Sequence, residues 1–402
     1  MPILIIAIVA MLVQQTIATT AKLGMPAMFP TVAADLGIDP KVVLGYTWSY
    51  AAVAILVMAG CGGALRRWGA LRTSQLGCLA MALGLAAAAL LAQPWLALPP
   101  LVLGIFLNSA GSTVATPASS QILAKYAPPK WAPLVFSIKQ TGVPAGLAIS
   151  GMILAPIAAS FGWRPALLGL AIVCVVIAVA LQPLRAEFDA DRDPTARPKF
   201  SDFPMTIRQV LNAPEMRSLA MAAFCFVGMQ SIFMGFSVTY LHEALGYTVE
   251  AAGPIFGAAA LIAVPARILW GWVGSTLIKP QMLLACLAAM MAVSTASMGL
   301  FEKNWAEWQV FAVMGLISLS VLSWHGVLLS EAARLAQAGE AGRMTGGVLA
   351  FGSAGQVIYP MIFGLGLASG SYIAGYVLIA LPALFMAFVL VRSALSPRKD
   401  VH

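Results

Sequence analysis

Charge is what this sequence lacks most. Only 9% of its 402 residues are charged, against roughly 25% in soluble domains. There is too little polar surface to cover a globule in water, so the solvent must be lipid. Histidine is scarce as well, with 3 residues in the chain, which leaves no set spaced to hold a metal. The cysteines (Cys61, Cys78, Cys174, Cys225 and Cys286) lie in apolar runs without CxxC spacing. That excludes a disulfide framework and reads as small core residues. The opening MPILIIAIVAMLVQQ has no basic segment ahead of its apolar run, so it reads as a retained first span and not a signal peptide. No aspartate is embedded in an apolar stretch, and intramembrane hydrolysis needs paired acids, a Ser–His pair or a metal cluster. An enzyme is not expected, and no cofactor or metal is implied. No loop resembles a channel filter.

What the chain has is apolar length: 60% of it is hydrophobic and the mean hydropathy is +0.90. A helix needs about 20 apolar residues to cross a bilayer. Twelve such stretches can be drawn, near 3–31, 42–65, 73–93, 98–124, 133–159, 164–184, 216–241, 250–275, 280–301, 307–334, 343–368 and 371–392. Turn or charge signals separate them, among them RRWGALR, QPWLALPP, KYAPPKW and FEKNW. One connection, holding EFDADRDPTARPKFSD, is long and polar. The organisation expected is an amino-terminal six-helix bundle over 1–184, a linker over 185–215 and a carboxy-terminal bundle over 216–402.

The basic residues set the orientation. With both termini in the cytoplasm, Arg66, Arg67, Arg72, Lys125, Arg185, Arg398, Lys399 and others, seventeen in all, fall inside. Lys41, Arg164 and Lys303 fall outside. That is the positive-inside pattern, and it accounts for the net charge of +8 without nucleic acid. The remaining three, Lys22, Lys139 and Arg267, lie within the spans.

The chain also repeats. A shift of 204 carries Lys139 onto Arg343, Thr141 onto Thr345, Gly142 onto Gly346, Gly151 onto Gly355 and Pro156 onto Pro360. The fifth and eleventh spans therefore correspond, as two parallel six-helix repeats require. Gly142 and Gly146 share a helix face, where small residues let helices approach closely. That suits either a rocking contact or static packing.

With twelve spans, a basic central loop and paired halves, the sequence resembles the major facilitator superfamily over essentially its whole length. The stretch GGALRRWGALR looks like a degenerate form of the family's loop signature: Gly62, Arg67 and Gly69 fit, while Arg66 stands where an aspartate is usual. In the second half Gly271 is kept and Ser275 replaces the acid. The resemblance implies an all-α integral membrane protein with 12 transmembrane helices in two pseudo-symmetric six-helix halves. The thin outer loops and the positive-inside pattern suit a bacterial inner membrane, and a monomer is expected.

Embedded charges cost about 2.5–3.5 kcal/mol each even on gentle scales, and they usually face water or a bundle interior. Gln15, Thr19 and Lys22 recur at i, i+4 and i+7, one face of the first helix. Lys22 either lines a cavity or snorkels to the outer surface. Arg267 is placed like the eighth-helix arginine of monocarboxylate and oxalate/formate transporters, and Lys22 like a first-helix lysine of the former. Arg267 either contacts substrate or anchors its helix. Lys139 and Arg343 either organise a gate or snorkel. Ser318 and His325 lie seven apart and share a face; histidine is the side chain suited to gain a proton at physiological pH, so His325 either carries a proton or bonds a neighbouring helix. Glu331 is the one carboxylate expected inside a span, a candidate for proton coupling or a local pair with Arg334. Tyr50, Asn108 and Gln356 add hydrogen-bonding groups.

Together these residues point to a small organic anion held by Lys22, Arg267, Gln15, Thr19, Tyr50, Asn108, His325 and Gln356. His325 or Glu331 would couple its movement to protons, and Lys139, Gly142, Gly146 and Arg343 would gate it. Import is favoured because the drug-antiporter ending of the fifth span is missing. A proton-driven exporter of drugs or metabolites is the alternative, served by an adaptable pocket built from the 20 methionines.

Overall fold

In lipid every backbone N–H and C=O must be satisfied inside the segment, which leaves an apolar chain to fold as helices. The computed structural model describes residues 2–39, 42–199 and 201–395, and it contains no β-strand among them. Lys41, Arg398 and Lys399 of the charge pattern lie outside the described residues, as does the side chain of Glu250.

Eleven helices among the described residues are long and apolar enough to cross a membrane. They are Pro2–Leu36, Ala70–Leu91, Leu98–Tyr126, Pro129–Phe161, Trp163–Phe188, Pro214–Glu243, Ala251–Thr276, Pro280–Met298, Glu307–Leu335, Ala341–Ala368 and Tyr372–Leu395. A broken span, Gly45–Gly60 with Gly62–Trp68, bends by 55° and makes the twelfth, second in chain order. Spans are numbered 1 to 12 below. Several starts carry proline in the first turn, where its missing N–H costs nothing: Pro99 and Pro100, Pro129, Pro214 and Pro280.

Several spans depart from regular α-helix, and three of these departures bear on the site. Span 2 breaks at Gly60–Cys61–Gly62. Span 5 carries a π-helical turn, Ser150–Leu154, directly before Pro156. Proline there lacks the N–H for a regular bond and crowds the preceding turn, and the wider turn absorbs both faults. Span 10 breaks after Val321 and resumes at His325. The one-face relation expected for Ser318 and His325 presumed a continuous helix, and this break removes it. Ser323 Oγ donates instead to the Ser318 carbonyl at 2.9 Å.

Cα packing groups the chain into two compact units. The first holds Met1–Ala127, Ile138–Gln209 and Ala336–Ala350; the second holds Pro128–Ser137, Val210–Leu335 and Phe351–His402. In the first, spans 3 and 4 meet through glycines. A Cβ on Gly77 would lie 2.7 Å from the Gly111 carbonyl, and one on Gly84 would lie 2.8 Å from that of Gly104. Small residues at such contacts permit the close packing on which helix association in lipid depends. Hydroxyls inside the spans bond back to their own helix: Thr16 to the Leu12 carbonyl, Ser112 to that of Asn108, and Ser237 to that of Phe233. Away from water this is the nearest acceptor. The outward faces are apolar, as at Val173, Val176 and Val179 of span 6 and Leu384, Phe385 and Phe388 of span 12. Four cysteines are buried as expected, while Cys286 is exposed on the surface of span 9.

Candidate functional site

The first unit gathers a polar stripe from spans 1, 2, 4 and 5. Lys139 is 1% exposed and donates from Nζ to Gln15 Oε1 at 2.6 Å. A snorkelling head would sit at the surface; this one does not. Thr116 Oγ1 donates to the same Gln15 oxygen at 3.1 Å, and Gln15 Nε2 reaches Thr19 Oγ1 at 3.3 Å. One helical turn further along, Lys22 Nζ lies 4.8 Å from the centroid of the Tyr50 ring. The ring face is negative and attracts the ammonium. Tyr50 and Ser112 share a hydrogen bond at 2.6 Å. Tyr46 donates to the Lys22 carbonyl at 3.1 Å, and Asn108 Nδ2 donates to the Ala21 carbonyl at 2.8 Å. Of the first-unit residues proposed from the sequence, the structure brings Gln15, Thr19 and Lys139 into one network. It joins Lys22, Tyr50 and Asn108 into a second, adjacent on span 1.

Gly142 and Gly146 form the bed of this contact. A Cβ on Gly142 would stand 2.9 Å from the Leu12 carbonyl, and one on Gly146 would stand 2.5 Å from that of Thr16. Spans 1 and 5 therefore touch backbone to backbone, which is what carries Lys139 to Gln15.

Their repeat mate Arg343 is also buried. Its Nε donates to Thr206 Oγ1 at 2.9 Å and one guanidinium nitrogen reaches Glu340 at 3.1 Å. Its stem crosses Gly62, where a Cβ would lie 2.7 Å from Arg343 Cδ. Glu340 also faces Arg66 at 3.6 Å. The acid missing from the loop at position 66 is thus supplied by Glu340 within the same unit, with the charges reversed. Gln121 closes the same end, donating to the Gly339 carbonyl and accepting the Gly342 N–H, both at 2.7 Å. Sequence reasoning missed Glu340, Thr206 and Gln121. The signal available was Arg66 itself, which in place of an acid demands an acid elsewhere.

The polar linker contributes two further anchors. Asp189 accepts the N–H groups of Leu71 and Arg72 at 2.7 and 2.9 Å, capping the start of span 3. Its carboxylate occupies the room that a side chain on Gly69 would need, and Gly69 itself has φ +90°. Burial pushes the Asp189 carboxyl above the usual carboxylate range, against the pull of those two N–H bonds and of Arg185 and Arg192. The helix Asp202–Asn212 carries Thr206 to Arg343.

In the second unit Arg267 is 2% exposed on span 8. His325 stacks on Trp324 with ring centroids 3.8 Å apart, and Trp324 is held by a bond from Nε1 to the Val321 carbonyl at 2.9 Å. Glu331 is buried and paired two-fold with Arg334, at 2.8 and 2.7 Å. Gln356 is half-buried on span 11. Ser275, where an acid was usual, accepts the Leu134 N–H at 3.2 Å. It does as a neutral hydroxyl what a carboxylate does at a helix start. Gly271 admits Ser137, whose Cβ would lie 2.6 Å from an added Cβ.

No set of three or more His, Cys, Asp or Glu among the described residues is placed to hold a metal. A cleft of about 490 Å³ lies beside Gln182, Arg185, Asp189 and Arg192.

The chain resembles solved transporters over nearly its full length. A proton:xylose symporter, XylE, matches with a TM-score of 0.74 at 13% identity, over 97% of this chain and 95% of that one. The human organic anion transporter MFSD10 matches at 0.77 and 12%, over 96% and 98%. The fucose:proton symporter FucP of E. coli matches at 0.74 and 15%, over 98% and 100%. No curated protein matches the sequence. The sequence profile of the Major Facilitator Superfamily matches residues 3–346. With that profile, the apolar spans and the fold in agreement, the chain belongs to the Major Facilitator Superfamily, a family of secondary transporters.

Proposed function

We propose that this transporter moves a small organic anion, a carboxylate or a related acid, together with protons, and that uptake is its working direction. The observation that carries this reading is the sign of the charge buried within the spans. Lys139 and Arg267 are buried and basic, Lys22 is half-buried and basic, and the one acid among them, Glu331, is paired with Arg334. Coulomb attraction for an anion is stronger in such a medium than in water. The fold does not choose among substrates: its structural neighbours include sugar symporters and an organic anion transporter.

In this reading Arg267 and Lys22 hold the anionic group, and Gln15, Thr19, Tyr50, Asn108, His325 and Gln356 supply the remaining contacts. His325 or Glu331 carries the proton. The halves 1–184 and 216–402 alternate about the linker 185–215, with both termini in the cytoplasm of a cell whose inner membrane holds the monomer. Lys139 on Gln15, the glycine bed of Gly142 and Gly146, and Arg343 between Glu340 and Thr206 form contacts that open and close with that motion.

A thermal-shift panel of carboxylates, sulfonates, sugars, amino acids and lipophilic cations tests the substrate class on purified protein. A ligand at a hundredfold excess over its Kd stabilises the native state by about 2.7 kcal/mol. An organic acid should raise Tm in the native protein and not in Arg267→Ala. Stabilisation by lipophilic cations alone, equal in both proteins, would favour an exporter instead.

A further inference from the structure

A second cavity adjoins the polar stripe inside the first unit, among spans 1 to 4. Its volume is about 160 Å³. Phe29, Leu85, Leu101 and Ile105 form apolar walls, and Tyr46 and Asn108 contribute polar groups. The mouth lies between spans 2 and 4, where Gly45, Leu98 and Val102 are exposed on the lipid-facing surface. Gly45 leaves that mouth open, since a Cβ there would meet nothing within 4 Å.

One lining residue is not satisfied by the fold. Asn108 is 2% exposed, and its Nδ2 is committed to the Ala21 carbonyl and the Tyr46 hydroxyl. Its Oδ1 is buried and has no hydrogen-bond partner among the described residues. A buried acceptor left without a donor is destabilising, so a ligand that brings a donor gains what the protein has forgone. An apolar cavity of about 150 Å³ is large enough for benzene. A ring of that size with one hydroxyl matches both the volume and the orphan acceptor.

We propose that this lateral cavity is a binding site for a phenol-sized aromatic that enters from the membrane and donates its hydroxyl to Asn108 Oδ1. The site adjoins the anion path at Asn108, which the reading above also places among the substrate contacts. It shares with that path the Tyr46 hydroxyl, which holds the Lys22 carbonyl. An occupant would therefore bear on the span 1 backbone beside Lys22.

The test uses full-length protein in lipid nanodiscs, with 4-fluorophenol and fluorobenzene as probes followed by fluorine NMR. Empty nanodiscs supply the unsaturable background of partition into lipid. The account expects saturable line broadening of 4-fluorophenol with the native protein and its loss in Gly45→Leu, whose side chain closes the mouth. Fluorobenzene should bind about fivefold more weakly, the worth of roughly one neutral hydrogen bond. Ser49→Leu provides a second closure should Gly45→Leu fail to fold. Broadening that never saturates, or that survives both closures, would mean partition into lipid alone and would overturn the proposal. Equal binding of the two probes would mean that the cavity takes any apolar occupant, lipid chains included, and would overturn the role given to Asn108.

Discussion

Lys139 Nζ sits 2.6 Å from Gln15 Oε1, a buried ammonium on span 5 held by a neutral amide on span 1. A charge away from water needs its donors met, because an unsatisfied buried partner costs more than a made bond returns. Gln15→Leu should therefore destabilise the protein by about 2–4 kcal/mol, more than the loss of an ordinary hydrogen bond. Lys139→Met with Gln15→Leu should cost less than the sum of the two single changes, since residues in direct contact couple. Thermal unfolding of the four proteins in one detergent measures both quantities.

The glycine bed beneath that contact gives a contrast within one helix. Gly146→Ala places a methyl 2.5 Å from the Thr16 carbonyl and must push spans 1 and 5 apart. Overpacking of this kind costs about 1–3 kcal/mol. Gly151→Ala, with nothing within 4 Å, should shift stability by no more than about 0.5 kcal/mol. The Tm difference between the two variants checks the assignment of the contact.

At the linker end, Glu340 faces two arginines of unequal burial, Arg343 with its side chain 6% exposed and Arg66 with 41%. Glu340→Ala leaves the Arg343 guanidinium short of a partner and should cost about 3–5 kcal/mol at that closure. Arg66→Ala, at an exposed pair, should cost at most about 1 kcal/mol. Cys61 precedes the glycine that Arg343 crosses and is buried. Its alkylation by a soluble maleimide should accelerate strongly in Glu340→Ala and little in Arg66→Ala.

Asp189 predicts a pH dependence of definite sign. Its carboxyl is raised above the ordinary 3.8 by burial, so the folded state holds the proton more tightly than the unfolded chain. Stability from this group is fully present at low pH and declines as pH rises from 3.8 through the raised value. Asp189→Asn should remove that decline. Unfolding midpoints of the two proteins from pH 4 upward read it as a difference whose slope vanishes above the raised value.

Much of the fold is legible in the sequence because hydropathy and proline and glycine punctuation act locally. Pro129, Pro214 and Pro280 mark helix starts. Breaks inside apolar runs are not legible in the same way: the interruption of span 10 before His325 changes no hydropathy, and Ser318 and His325 lose their shared face to it. Lys139 could be counted some residues into its span, but the amide that receives it lies 124 positions away and no periodicity links them. The linker read as polar because of its acids, yet DFPMTIRQVLN within it forms a helix that presents Thr206 to Arg343. The reversal at Arg66 was visible; its answer, Glu340, was not, because the pairing joins distant segments.

The central claim is that protons drive a small organic anion past Arg267. It is tested most directly by uptake into proteoliposomes with an imposed pH gradient, acid outside. The protein should accumulate the organic acid identified by thermal shift, lose that uptake on collapse of the gradient, and lose it in Arg267→Ala with the protein still folded. Uptake that ignores the pH gradient, or that Arg267→Ala performs as well as the native protein, would contradict the account.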